Sequence, residues 1–145
     1  MQEFYPEQWN LNAPFPTGRD WLEPKTYDLI NSRFLVDGID EERWQPLIRE
    51  YEVLLKHKAW LQMVEVQWEF HSQSSHALEA LDEWSKAYYG ALVRMGRKPE
   101  VVAVERLEQL VRWAGFQHVD GKTYNVPTGE WRAGASNNML LFTSQ

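Results

Sequence analysis

The sequence predicts an α/β domain, a mixed sheet of about four strands with helices on its faces. Two observations carry this. Short apolar runs alternate with stretches whose apolar residues return every three to four positions, in the order strand, helix, strand, helix, helix, strand, strand. Four of the seven prolines fall within the first 26 residues, which sets an extended arm (1–26) apart from a single domain (27–145) in a chain of 145 residues.

The arm carries Tyr5-Pro6, Trp9, Pro14-Phe15-Pro16, Trp21 and Pro24, and its prolines deny it regular ladders and most helix. Tyr27 to Leu35 then reads as a largely buried strand closed at Asp37-Gly38. From Pro46 to His57, Leu47, Ile48, Tyr51, Leu54 and Leu55 follow the helical period, with Pro46 in the first helical position. Trp60 to Phe70 is a second strand, with Leu61, Met63, Glu65, Gln67 and Glu69 on one face and Gln62, Val64, Val66, Trp68 and Phe70 on the other.

Ser72 to Ser75 form a polar break that caps a long aromatic helix, whose stripe is Leu78, Leu81, Trp84, Tyr88, Leu92 and Met95 and whose stop is Gly96. A further helix spans Val101 to Ala114, ending at Gly115. Phe116 to Val126 and Asn138 to Phe142 complete the set as a strand pair, with Gly129 and Gly134 between them.

Composition removes several function classes. The net charge of −6, with Lys and Arg scattered singly, offers no cationic stripe for nucleic acid or an acidic membrane surface. There is no cysteine, hence no disulfide, thiol nucleophile or thiolate metal site. No apolar stretch approaches 18 residues and the chain opens Met-Gln-Glu-Phe-Tyr-Pro, so a cytoplasmic location is expected. His71 and His76, five apart, match no metal spacing, while His57 at a helix C-terminus and His118 in an edge strand read as structural. No metal is expected.

The sharpest motifs are Tyr27-Asp28-Leu29-Ile30-Asn31-Ser32-Arg33, Leu54-Leu55 before Trp60-Leu61, and Ala114-Gly115-Phe116 running to Pro127-Thr128-Gly129-Glu130-Trp131. Together they resemble the C-terminal half of fungal class I S-adenosylmethionine (SAM) methyltransferases of the LaeA-like kind. The resemblance covers residues 20–132 and implies a partial, truncated Rossmann-like fold, in which Tyr27 to Ile30 is the fourth strand and Trp60 to Val66 the fifth. It departs from that family where Lys56-His57-Lys58-Ala59 replaces a Lys-Pro-Gly-Gly turn. Neither the glycine-rich turn nor the acidic strand end that hold SAM is found in the chain, so no cofactor is expected.

Open α/β sheets bind ligands beyond the carboxyl ends of their strands, so residues there are the candidates. Asn31, Arg33, Glu65, Gln67 and His71 are the candidate catalytic set, suited to polarisation or proton transfer. Phe34, Glu69, Trp84, Tyr88 and Tyr89 are the candidate substrate-binding set; in the resembled family the helix carrying Trp84, Tyr88 and Tyr89 roofs the substrate pocket.

The favoured expectation is an enzyme of fungal secondary metabolism that binds a hydrophobic small molecule without SAM and directs a cyclisation or isomerisation. The alternatives are a regulatory, protein-binding pseudo-methyltransferase and a methyltransferase completed by another chain. With the first strands missing, residues 27–35 become an exposed apolar edge, which the arm or a homodimer contact would cover.

Overall fold

The structure is a computed structural model that describes residues 5–71 and 78–126, with the backbone of 141–144. The Ser72–Ser75 cap, His76, the Pro127 to Trp131 motif, Gly134 and the start of the last strand lie outside the described residues. The elements are β1 (Tyr27–Arg33), α1 (Trp44–Leu54), β2 (Leu55–Val64), α2 (Glu79–Arg94), α3 (Val104–Trp113), β3 (Asp120–Lys122) and β4 (Leu141–Ser144). Short 3-10 turns at Asp20–Leu22, Glu41–Arg43 and Pro99–Val102 join them.

The sheet runs β1-β2-β4-β3. β1 and β2 are parallel, β4 is antiparallel to β2, and β3 is antiparallel to β4. This is the mixed α/β architecture that the sequence predicts, with its last two strands paired. Ile30 sits beside Leu61 and Ser32 beside Met63 in the parallel ladder, which puts these four on one face.

That face meets α1 and α3. Trp44, Leu47, Ile48, Tyr51 and Leu54 of α1 and Leu107 and Val111 of α3 are buried with Leu61 and Met63. Each of these large side chains gains roughly 1.5–3 kcal/mol from leaving water, which is why two amphipathic helices settle on one sheet face. The opposite face is more open: Leu29 is 54% and Trp60 38% exposed.

The boundaries differ from the periodicity at one informative place. The helix expected to reach His57 ends at Leu54, and β2 begins at Leu55 with no loop between them. Tyr27 pairs with Leu55 but Leu29 with Trp60, so β2 contains a bulge at Lys56 to Ala59. Lys58 there takes φ +64°, the left-handed conformation that glycine adopts freely. The glycine turn of the resembled family is thus replaced in sequence, and a lysine takes the left-handed conformation there. His57 consequently lies in β2, not at a helix end.

Other boundaries are also corrected. β2 stops at Val64, not Phe70, because Glu65 turns inward and the following segment leaves the sheet for α2. Val101 and Val102 belong to the 3-10 turn before α3, Pro46 is the third residue of α1, and the strand expected over 116–126 forms only at Asp120–Lys122. The last strand is Leu141–Ser144.

The arm lies against α1, held by Arg43. Arg43 is 6% exposed and donates to the carbonyls of Leu11 (2.7 Å) and Ala13 (3.0 Å) while pairing with Glu50 through both terminal guanidinium nitrogens at 2.9 and 2.5 Å. Glu50 also accepts the Phe15 N–H at 3.3 Å, and Leu11 and Phe15 pack on the core. These contacts direct the arm to the helical layer. Among the described residues no strand pairs with the outer edge of β1.

Candidate functional site

The carboxyl ends of β1 and β2 are built around one buried acid. Glu65, fully buried, continues the Leu61 and Met63 face and turns its carboxylate onto the loop after β1. Oε1 accepts the Leu35 N–H at 3.0 Å and Oε2 the Val36 N–H at 3.1 Å. Burial pushes its pKa up to about 7, against the two donors that favour the ionised form, and Asp37 adds to the rise.

The same loop reaches α2. The Tyr88 hydroxyl donates to Asp37 Oδ1, and the Arg97 Nε donates to the Asp37 carbonyl at 3.3 Å. Burial and the Asp37 contact push the Tyr88 phenol up to about 12. From the other side, the segment after β2 is tied to α2, since the Trp68 N–H donates to the Tyr89 hydroxyl at 2.6 Å and Ser85 donates to the Trp68 carbonyl at 2.9 Å.

An aromatic cluster fills the space between them. Trp84 and Tyr88, one helical turn apart, stack with centroids 5.2 Å apart and planes 9° from parallel. Trp68 stands edge-on to Trp84 at 5.8 Å, and Phe70 stands steeply to it at 5.9 Å. Tyr89 lies 5.7 Å from Tyr88. The cluster is open to water: Trp84 is 46% and Trp68 37% exposed. Of the α2 residues only Leu92 is buried, so these rings, with the hydrogen bonds above, seat the helix.

The candidate residues fall into four groups. Trp84, Tyr88 and Tyr89 are brought together with Trp68. Asn31 and Arg33 lie on the face opposite Glu65, where Arg33 Nε donates to Asn31 Oδ1 at 2.8 Å and Asn31 Nδ2 to Gln62 Oε1 at 2.5 Å. Glu65 is enclosed by backbone donors, Gln67 is half-buried, and Glu69 and His71 are exposed in the segment between β2 and α2. Phe34, with φ +55° and 57% exposure, closes the end of β1.

Sequence reasoning missed Asp37, read there only as part of a turn, and Trp68, assigned to a longer strand. It also missed a groove of about 620 Å³ between the turn before α1 and α3, lined by Trp44, Lys98, Arg106, Leu110 and Trp113 among others. The Trp44 Nε1 is buried with no acceptor among the described residues. Among the described residues no cluster of three His, Asp or Glu could hold a metal. No helix among them is long and apolar enough to cross a membrane.

No protein-family model matches the sequence, and no curated protein does. Solved structures match the fold. A SAM-dependent methyltransferase from Thermotoga maritima superposes with a TM-score of 0.62 at 15% identity over 97% of this chain and 63% of that one. One from Archaeoglobus fulgidus gives 0.55 at 13%, over 86% of this chain and 62% of that one. Human N-acetylserotonin methyltransferase, in complex with SAM, gives 0.52 at 12%, over 97% of this chain and 32% of that one. This chain spans 32% to 63% of the length of these proteins. At such identities the likeness shows the fold, a partial Rossmann-like methyltransferase fold.

That fold implies SAM, and the described residues do not form its cradle. Gly18, Gly96 and Gly115 have left-handed backbones in open space, but none follows a parallel strand; the residue that does so at the end of β1 is Phe34.

Proposed function

We propose that the chain is the acceptor-side half of a SAM-dependent methyltransferase, the donor-binding half being supplied by other polypeptide. The observation that carries this reading is the aromatic cluster of Trp68, Trp84 and Tyr88 at the carboxyl end of a parallel strand, in a fold shared with SAM-dependent methyltransferases. SAM, where bound, supplies the methyl group. The residues of this chain bind and orient the acceptor: the indole faces hold an apolar or aromatic body, and Tyr88 and Tyr89 fix α2 over it through Asp37 and Trp68.

A second reading is a cofactor-independent cyclisation or isomerisation of an apolar intermediate in a fungal pathway. What favours it is the same half-exposed cluster of Trp68, Trp84 and Tyr88, which offers an apolar intermediate an aromatic wall that needs no cofactor.

Titration with a flat phenol such as 2-naphthol and with S-adenosylhomocysteine, followed by tryptophan fluorescence and calorimetry, tests the first reading. The expected result is saturable naphthol quenching lost in Trp84→Ala. Binding of S-adenosylhomocysteine is expected only when the strand-one-to-three half of a methyltransferase is added as a second polypeptide. Naphthol binding indifferent to Trp84→Ala overturns the acceptor site. Conversion of an apolar polyene by the isolated chain, abolished in Trp84→Ala, transfers the assignment to the second reading.

A further inference from the structure

Three carboxylates lie near the aromatic cluster. Asp37 is bonded to the Tyr88 hydroxyl, Glu69 lies in the segment one residue beyond Trp68, and Glu100 follows α2 in the turn before α3. Burial raises the pKa of the Tyr89 phenol, and the charges of Glu69, Asp37 and Glu100 add to the rise. Arg97, which reaches the same loop, is committed to an ion pair with Asp40 and to the Asp37 carbonyl. The half-exposed indoles of Trp84 and Trp68 therefore face water within a negative field.

An uncharged ligand gains nothing from that field. A cation gains twice, because the negative face of an indole attracts positive charge and the carboxylates add to the attraction without a contact ion pair. Alkylammonium groups suit both terms, since their charge is spread over weakly hydrated methyl or methylene surface that packs on rings. We propose that the Trp68, Trp84 and Tyr88 cluster, with Asp37 and Glu69, is a recognition site for an organic ammonium group. This rests on the acceptor-site reading above and names its ligand class: an amine or a quaternary ammonium compound.

Choline chloride and its uncharged isostere 3,3-dimethyl-1-butanol, which share shape and differ in charge, are the discriminating probes. Tryptophan fluorescence and the upfield shift of the probe's methyl protons report binding. Choline is expected to bind at least about tenfold more tightly than the isostere. The choline signal is expected to be lost in Trp84→Ala and weakened in Glu69→Gln, an exposed position whose neutralisation leaves the fold intact, with circular dichroism verifying both variants. Equal binding of the two probes, both lost in Trp84→Ala, overturns the ammonium preference while the acceptor site stands. Binding of neither probe, with naphthol quenching also absent, overturns both.

Discussion

Glu65 and Val36 are joined by a hydrogen bond of 3.1 Å from the Val36 N–H to Oε2, and this bond closes the end of β1 over a carboxyl group that has no exposure to solvent. Its energetic sign is set by the environment. The folded-state pKa is about 7 against an ordinary value of 4.5, so the native state holds the Glu65 proton more tightly than the unfolded chain does.

Glu65 therefore contributes stability that is fully present below about pH 4.5 and is lost as the pH rises through about 7. Between pH 5 and pH 8 the wild type is expected to lose about 2.5 kcal/mol relative to Glu65→Gln, since each tenfold change in proton affinity is worth about 1.4 kcal/mol. Urea unfolding of both proteins at the two pH values measures this; parallel curves refute it. Glutamine offers one acceptor to two N–H donors, so at pH 5 the variant is expected to be less stable than the wild type by about 1–3 kcal/mol, a gap that closes as the pH rises.

Lys58 occupies a left-handed conformation at φ +64°. Lys58→Gly is expected to stabilise the protein by about 0.5–1 kcal/mol, the relief of side-chain strain exceeding the extra chain entropy of glycine. Denaturant midpoints of the two proteins provide the comparison, and a destabilised glycine variant would count against the strained bulge.

Arg43→Ala removes the clip between arm and helix. It strands Glu50, which keeps 26% side-chain exposure, and the expected cost is about 3 kcal/mol. The accompanying sign is faster tryptic cleavage at Arg19 and Lys25, both in the arm. Unchanged cleavage kinetics would show that other contacts hold the arm.

Tyr88 is expected to ionise near pH 12, above the usual phenol range. Spectrophotometric titration of Tyr88→Phe should match the wild type up to about pH 11 and lose amplitude only above it. A difference appearing near pH 10 would mean that the contact with Asp37 does not persist in solution.

Leu29, 54% exposed on β1, whose outer edge has no partner strand among the described residues, tests the expected homodimer. Sedimentation should show a dimer for the wild type and a monomer for Leu29→Lys, because a lysine on an edge strand discourages strand pairing. A monomeric wild type leaves that edge to another partner.

The alternation of Leu61, Met63 and Glu65 was legible as one face, and so were the helical stripes of α1 and α3. Glu65 was placed on that face as a candidate catalytic acid, and it is buried with the two core residues of the stripe. Periodicity has no sign that an acid will find donors, because those come from Leu35 and Val36, about thirty positions away. The end of α1 was illegible for a related reason. Leu55 fits the helical stripe as well as the sheet, and only pairing with Tyr27 decides between them. Trp84 and Tyr88 were recognisable as one stripe from helical spacing, and the family resemblance added Tyr89 and the pocket-facing role. Asp37, which anchors one of those rings, looked like an ordinary turn residue.

The Arg43 clip also fixes an order of events during synthesis. Leu11 and Ala13 leave the ribosome first, yet the guanidinium that binds their carbonyls and the Glu50 carboxylate that orients it follow about thirty to forty residues later. The nascent leading segment must wait, unattached, until the first helix has wound. Its docking is a late seal placed on a framework already standing.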